Sequence, residues 1–163
     1  MRSTIRSVVI FAMFASATNP AFALSPEWDQ CKDINNKDTA DRAIAACTHI
    51  LNDKSERQNH AMALRNRCGA KYTQANYDGA LADCNQAINM EPKSDIGYER
   101  RGSVWRMKGD DKRAMADFDK ALAINFKNPY ALYARGTLKK RMGDEAGGDS
   151  DLARAREIKP DID

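Results

Sequence analysis

The chain has 163 residues, with 26 Lys and Arg against 23 Asp and Glu. A net charge of +3 is too small to set up a field that gathers phosphates. Only two histidines, His49 and His60, are present, and no G-x-S-x-G, Walker-type or HExxH motif occurs. Catalysis, a metal and a cofactor are therefore not expected.

Residues 1–23 have the layout of a secretory leader. Arg2 and Arg6 precede an apolar run from Val8 to Ala17, and Ala21-Phe22-Ala23 supplies small residues for cleavage before Leu24. The run is too short to serve comfortably as a retained membrane anchor. Removing two arginines leaves 24 basic against 23 acidic side chains, a net of about +1, which weakens nucleic-acid binding further. The expected product is exported, periplasmic or secreted, with a domain over 24–163 that is long enough for one continuous core.

In 24–60, a first helix is expected at about 26–35, carrying Trp28 and Cys31. Asn35-Asn36-Lys37-Asp38 forms the turn, and a second helix at about 39–52 places Ala43, Ile44, Cys47 and Leu51 inward.

From Ala61 the chain repeats every 34 residues without a gap, as 61–94, 95–128 and 129–162. Counting from 1 in each segment, position 4 is large (Leu64, Tyr98, Leu132) and position 8 is small (Cys68, Gly102, Gly136). Position 20 is small (Ala80, Ala114, Gly148), position 27 is alanine (Ala87, Ala121, Ala155), and position 24 is Cys84, Phe118 or Leu152. Small residues let two helices approach, and large ones fill the space between them. Turn signals fall at positions 15 and 16, as Ala75-Asn76, Gly109-Asp110 and Gly143-Asp144. The last helix, about 145–158, turns Leu152, Ala155 and Ile158 inward and presents Asp149, Arg154, Arg156 and Glu157 outward, as a terminal cap needs.

This pattern resembles the tetratricopeptide repeat (TPR). The resemblance covers 61–162, with arginine in place of the usual leucine at position 7 and Phe126 in place of one proline. It implies an all-α, right-handed superhelical solenoid of helix-turn-helix units, with a concave groove that binds protein segments. With 24–60 as a degenerate first member, the units number four, at about 24–60, 61–94, 95–128 and 129–162.

The cysteines set the register of that first unit. Cys31 and Cys47 are 16 apart, as are Cys68 and Cys84, and all four fall at positions 8 and 24. In an antiparallel hairpin turning near position 16, those positions face each other. Two disulfides, Cys31–Cys47 and Cys68–Cys84, are expected in an oxidising compartment. Four buried thiols acting as small apolar fillers are the alternative.

Arg67, Arg101 and Arg135 recur at position 7, and Asp83, Asp117 and Asp151 at position 23. The arginines could form a cationic ladder for acidic ligands. Their spacing to the aspartates favours internal ion pairs, across each hairpin or to the adjacent unit.

Groove positions carried over from the resemblance give the candidate contacts. They are Arg65, Asn66 and Tyr72, then Arg100 and Arg106, then Tyr130, Tyr133, Lys140 and Arg141, with Trp28 on the same side in the first unit. Met62, Gly69, Thr73, Ile96, Glu99, Ser103, Met107, Ala134 and Thr137 fill the remaining carried-over positions. This surface suits a protein or peptide partner of acidic or carboxylate character. The alternative function is a self-associating scaffold, and the sequence leaves the oligomeric state open.

Overall fold

The computed structural model describes residues 27–34 and 36–162. The expected leader with its cleavage site lies outside the described residues, as do Asn35 and Asp163. Among the described residues there are eight α-helices: α1 (Glu27–Lys32), α2 (Lys37–Asn52), α3 (His60–Thr73), α4 (Tyr77–Met90), α5 (Asp95–Met107), α6 (Asp111–Ile124), α7 (Pro129–Arg141) and α8 (Glu145–Ile158). Each odd-numbered helix packs on the next to make a hairpin, and successive hairpins stack into a helical solenoid.

Side-chain caps start α2, α4, α6, α7 and α8. The Asn76, Asp110 and Asp144 side chains accept from the backbone N–H of Gly79, Arg113 and Gly147 at 3.1, 2.9 and 2.9 Å. Asn128 accepts from Ala131 N–H at 3.0 Å, just before Pro129 at the first helical position. The hairpin turn needs a left-handed residue, with φ of 79° at Gly109 and 92° at Gly143. Ala75 occupies the same place at 59°, where its Cβ is strained. Ala75→Gly is therefore expected to raise stability by about 1 kcal/mol, read as an upward shift in the thermal midpoint.

The repeat positions explain the core. Gly102 sits under Phe118, which is fully buried; a Cβ there would come within 2.8 Å of the ring and 3.2 Å of the Ala114 carbonyl. Gly136 has the same relation to Leu152, at 3.0 Å. In the first two hairpins the equivalent pairs are the disulfides Cys31–Cys47 and Cys68–Cys84, with Cα atoms 4.9 and 5.5 Å apart. One facing pair of positions is thus filled by a covalent bond in two units and by glycine against a large side chain in the other two. Gly102→Ala is expected to cost about 1–2 kcal/mol in chemical denaturation, because neither the ring nor the carbonyl has room to retreat.

The first unit departs from the expected spans. Helix α1 stops at Lys32, and α2 begins at Lys37 because Asn36 and Thr39 form a capping box, with Asn36 Oδ1 accepting from Thr39 N–H at 2.9 Å. The extra residues before Ala61 wind into a 3-10 turn, Lys54–Asn59, opened by Asp53 accepting from Ser55 N–H at 2.8 Å.

Each position-7 arginine makes two parallel hydrogen bonds to the aspartate of its own hairpin. Arg67 to Asp83 measures 2.8 and 2.7 Å, Arg101 to Asp117 2.8 and 2.8 Å, and Arg135 to Asp151 2.8 and 2.8 Å. The remaining nitrogen, Nη1, reaches back to the second helix of the preceding unit. It donates to Thr48, Asn85 and Asp119 at 2.9, 2.9 and 2.7 Å respectively. One guanidinium therefore holds a hairpin together and ties it to its neighbour. Hydrogen bonding to Asp117 and Asp151 holds the Arg101 and Arg135 guanidiniums above their usual range.

Candidate functional site

Helices α1, α3, α5 and α7 lie next to one another along one side of the stack. A cleft of about 490 Å³ opens among them. Cys68, Gly69, Tyr72 and Thr73 of α3 form one part of its lining, and Glu99, Arg100 and Ser103 of α5 another. Tyr130 of α7 lies at the far end, with Lys32 and Ile34 at the near end.

Gly69 is what gives this cleft its depth. A Cβ there would meet Ile34 Cδ1 at 2.6 Å and Arg100 Nη1 at 2.9 Å, so two side chains from different units rest on its backbone. Ile34 is held in place because its carbonyl accepts from Thr73 Oγ1 at 3.3 Å.

Arg100 is the central charge. Its Nη1 donates to the Arg65 carbonyl and, at 3.4 Å, to Asn66 Oδ1. Both acceptors are neutral, and among the described residues Arg100 closes no ion pair. Burial pushes its pKa down, partly offset by Glu99. The Glu99 carboxyl is pushed up by burial, against the opposing effects of Arg100 and a 3.2 Å hydrogen bond donated by Ser103. The cleft therefore places one acid and one base where water solvates neither fully.

Of the ten expected groove contacts, the structure brings Tyr72, Arg100 and Tyr130 into the cleft, with Arg65 and Asn66 directly behind Arg100. Trp28, Arg106, Tyr133, Lys140 and Arg141 do not line the cleft. Trp28 is 1% exposed and packs with Cys31, Ala46, Cys47, Ile50 and Ala63, its Nε1 donating to Glu56 at 3.4 Å. A six-residue helix has few apolar side chains, and its tryptophan goes to the core. Arg65 spends its charge on Glu91.

Lys140 bonds Asp149 at 2.7 Å and Glu145 at 3.3 Å on α8, and Arg141 pairs with Asp111 at the start of α6. Arg141 and, through Glu145, Lys140 reach carboxylates in the first turns of neighbouring helices, where acidic residues gather at helix N-termini. Tyr133 packs against the cluster of Ala121, Leu122, Ala131 and Leu132. Arg106 does not line the cleft, and its Nε is buried without a hydrogen-bond partner.

Sequence reasoning missed Lys32 and Ile34, which became lining residues when α1 ended early. The one available signal was an isolated apolar residue, Ile34, ahead of two asparagines.

No protein-family model matches the sequence, and no curated protein matches it. Solved structures do. The first TPR of Spaghetti (RPAP3), bound to the HSP90 peptide SRMEEVD, is 21% identical with a TM-score of 0.58, over 62% of this chain and 80% of that one. MamA is 21% identical with a TM-score of 0.62, over 77% and 72%. TTC0263, a thermophilic TPR protein in Thermus thermophilus, is 18% identical with a TM-score of 0.63, over 76% and 67%. With the 34-residue period, the paired helices and the disulfide or glycine contacts at the same facing positions of each hairpin, these likenesses show that the chain has the tetratricopeptide-repeat fold.

Proposed function

We propose that this protein is an exported, non-catalytic interaction scaffold whose cleft holds a segment of another protein through a carboxylate. The observation that carries this reading is Arg100, a guanidinium inside a cleft with only neutral acceptors at hydrogen-bond distance among the described residues. A carboxylate entering there gains charge-assisted hydrogen bonds in a partly desolvated setting. Export is supported by the leader-like residues 1–23 and by two disulfides, which persist in oxidising compartments. The solved RPAP3 domain bound to a peptide shows that this fold can hold one.

The test is selection of peptides from a displayed random library by the oxidised protein. Enrichment of Asp or Glu is expected for the native protein. It should be lost in Arg100→Gln and also in Gly69→Leu, whose side chain displaces Arg100 and Ile34 from their seats on the Gly69 backbone. No enrichment, or enrichment unchanged by both substitutions, rejects the reading. Unchanged circular dichroism and thermal midpoints establish that the variants fold.

The self-associating reading has less support. Outward residues of α8, including Asp149, Arg154 and Glu157, are exposed and polar, while Ile162 folds back onto Leu122, Leu132 and Ala155 to close that end of the core.

A further inference from the structure

We propose that the cleft has two adjacent subsites of opposite sign, with Arg100 taking a carboxylate and Glu99 taking the cationic side chain of a neighbouring residue in the same bound segment. This rests on the groove reading above and specifies the partner further: it carries Asp or Glu beside Lys or Arg.

Four observations lead there. First, Glu99 and Arg100 are consecutive on α5 and line the same cleft, each partly offsetting the other's burial without a direct salt-bridge contact among the described residues. Both side chains therefore border the space that a ligand would enter.

Second, nearby cations are already committed elsewhere. Lys32 pairs with Asp29 at 3.0 Å, Arg65 with Glu91, and Lys159 with the Tyr130 hydroxyl at 2.9 Å. Within the cleft Arg100 offsets only part of the burial of Glu99, so a cation on a bound segment adds to that compensation.

Third, the Glu99 carboxylate is oriented by the Ser103 hydroxyl one turn along the helix, so it is held in place before a ligand arrives. Burial disfavours the ionised form of each member of the pair, and a ligand supplying both countercharges removes that penalty on both sides at once.

Fourth, the cleft contains the rings of Tyr72 and Tyr130. Aromatic faces attract cations, and Tyr130 already receives Lys159 at 5.0 Å from its ring centre. A volume of about 490 Å³ suits a pair of side chains on an extended segment.

The arrangement also discriminates. A ligand rich only in carboxylates, or a phosphate, satisfies Arg100 but meets Glu99 as a like charge, which is specificity by repulsion.

The displayed library separates this proposal from the reading beneath it. Native protein is expected to enrich peptides with Asp or Glu within one or two positions of Lys or Arg. Glu99→Gln should keep the acidic preference and lose the basic one, and Arg100→Gln should do the reverse. A capped synthetic copy of a selected peptide should bind roughly tenfold more weakly when its Lys is replaced by Gln, with the loss absent in Glu99→Gln. Enrichment of acidic residues alone in the native protein, or a basic preference that survives Glu99→Gln, overturns the two-subsite proposal and leaves the groove standing. Selection that ignores Gly69→Leu overturns both.

Discussion

Replacing both Cys31 and Cys47 with alanine is expected to lower stability by about 3 kcal/mol and to dissolve the near wall of the cleft. The bond closes a loop of about 15 residues, and opening it returns that much conformational freedom to the unfolded chain. The local consequence is larger than the global figure suggests. Helix α1 has six residues, far below the length at which a helix persists alone. It is held by the disulfide and by Trp28 in the first core, and its last residue, Lys32, with Ile34 just beyond, lines the cleft.

Amide exchange over residues 27–34 should therefore accelerate in the double variant, and peptide capture should weaken with it. The matched pair Cys68→Ala with Cys84→Ala provides the contrast. Helices α3 and α4 have packed neighbours on both sides, so they should keep their protection although the bond closes a loop of the same length. If exchange over 27–34 is unchanged without Cys31 and Cys47, the disulfide does not hold that wall.

Asp117→Ala is expected to cost about 3 kcal/mol, the lower end for breaking a buried pair, because Arg101 keeps 23% of its side chain exposed while Asp117 keeps 8%. The loss has two parts. Both parallel bonds to Arg101 disappear, and the guanidinium left behind keeps only the neutral Asn85 side chain of the preceding unit and the Tyr98 ring, 5.6 Å away. Since the same side chain connects hairpins, the unfolding transition should also broaden as the solenoid loses coupling between units. Exchanging the charges, as Arg101→Asp with Asp117→Arg, should recover part of the stability. A double variant no more stable than either single one shows that the pairing is not what matters. Chemical denaturation with fitted midpoint and slope measures all of these.

The equivalent pair in the last hairpin predicts an acid limb. Burial alone would raise the Asp151 carboxyl, but hydrogen bonds from Arg135 and Lys139 outweigh it and hold it below its ordinary value. A carboxylate with a depressed folded pKa stabilises the fold above its unfolded pKa, and that contribution disappears as pH falls through the folded value. Thermal midpoints should accordingly fall below about pH 4, and Asp151→Asn should flatten that dependence while lowering the midpoint at neutral pH. A limb unaltered by Asp151→Asn assigns it to other carboxylates.

The 34-residue period determined a great deal by itself. A helical hairpin repeated at fixed length has few ways to stack, so positions 8, 20, 24 and 27 had to meet, and the turn at positions 15 and 16 needed a left-handed residue. That is why the facing of Cys68 with Cys84, and of Gly102 with Phe118, could be read from spacing alone. The two-residue offset between positions 7 and 23 from perfect opposition likewise placed each arginine near its aspartate.

What tertiary structure decided was the use of long side chains and the fate of the short first helix. Spacing fixes the face from which Lys140, Arg141 or Arg65 leaves its helix, but each has several rotatable bonds and ends several ångströms away. Its partner is then chosen by where acids lie on neighbouring elements, which the period does not specify. Trp28 illustrates the same point from the apolar side. The sequence reading placed it in the groove, and the shortage of other large side chains in α1 sent it inward. The chain beyond Lys32 was thereby laid across Gly69, and a cleft was made from residues that no repeat position marks.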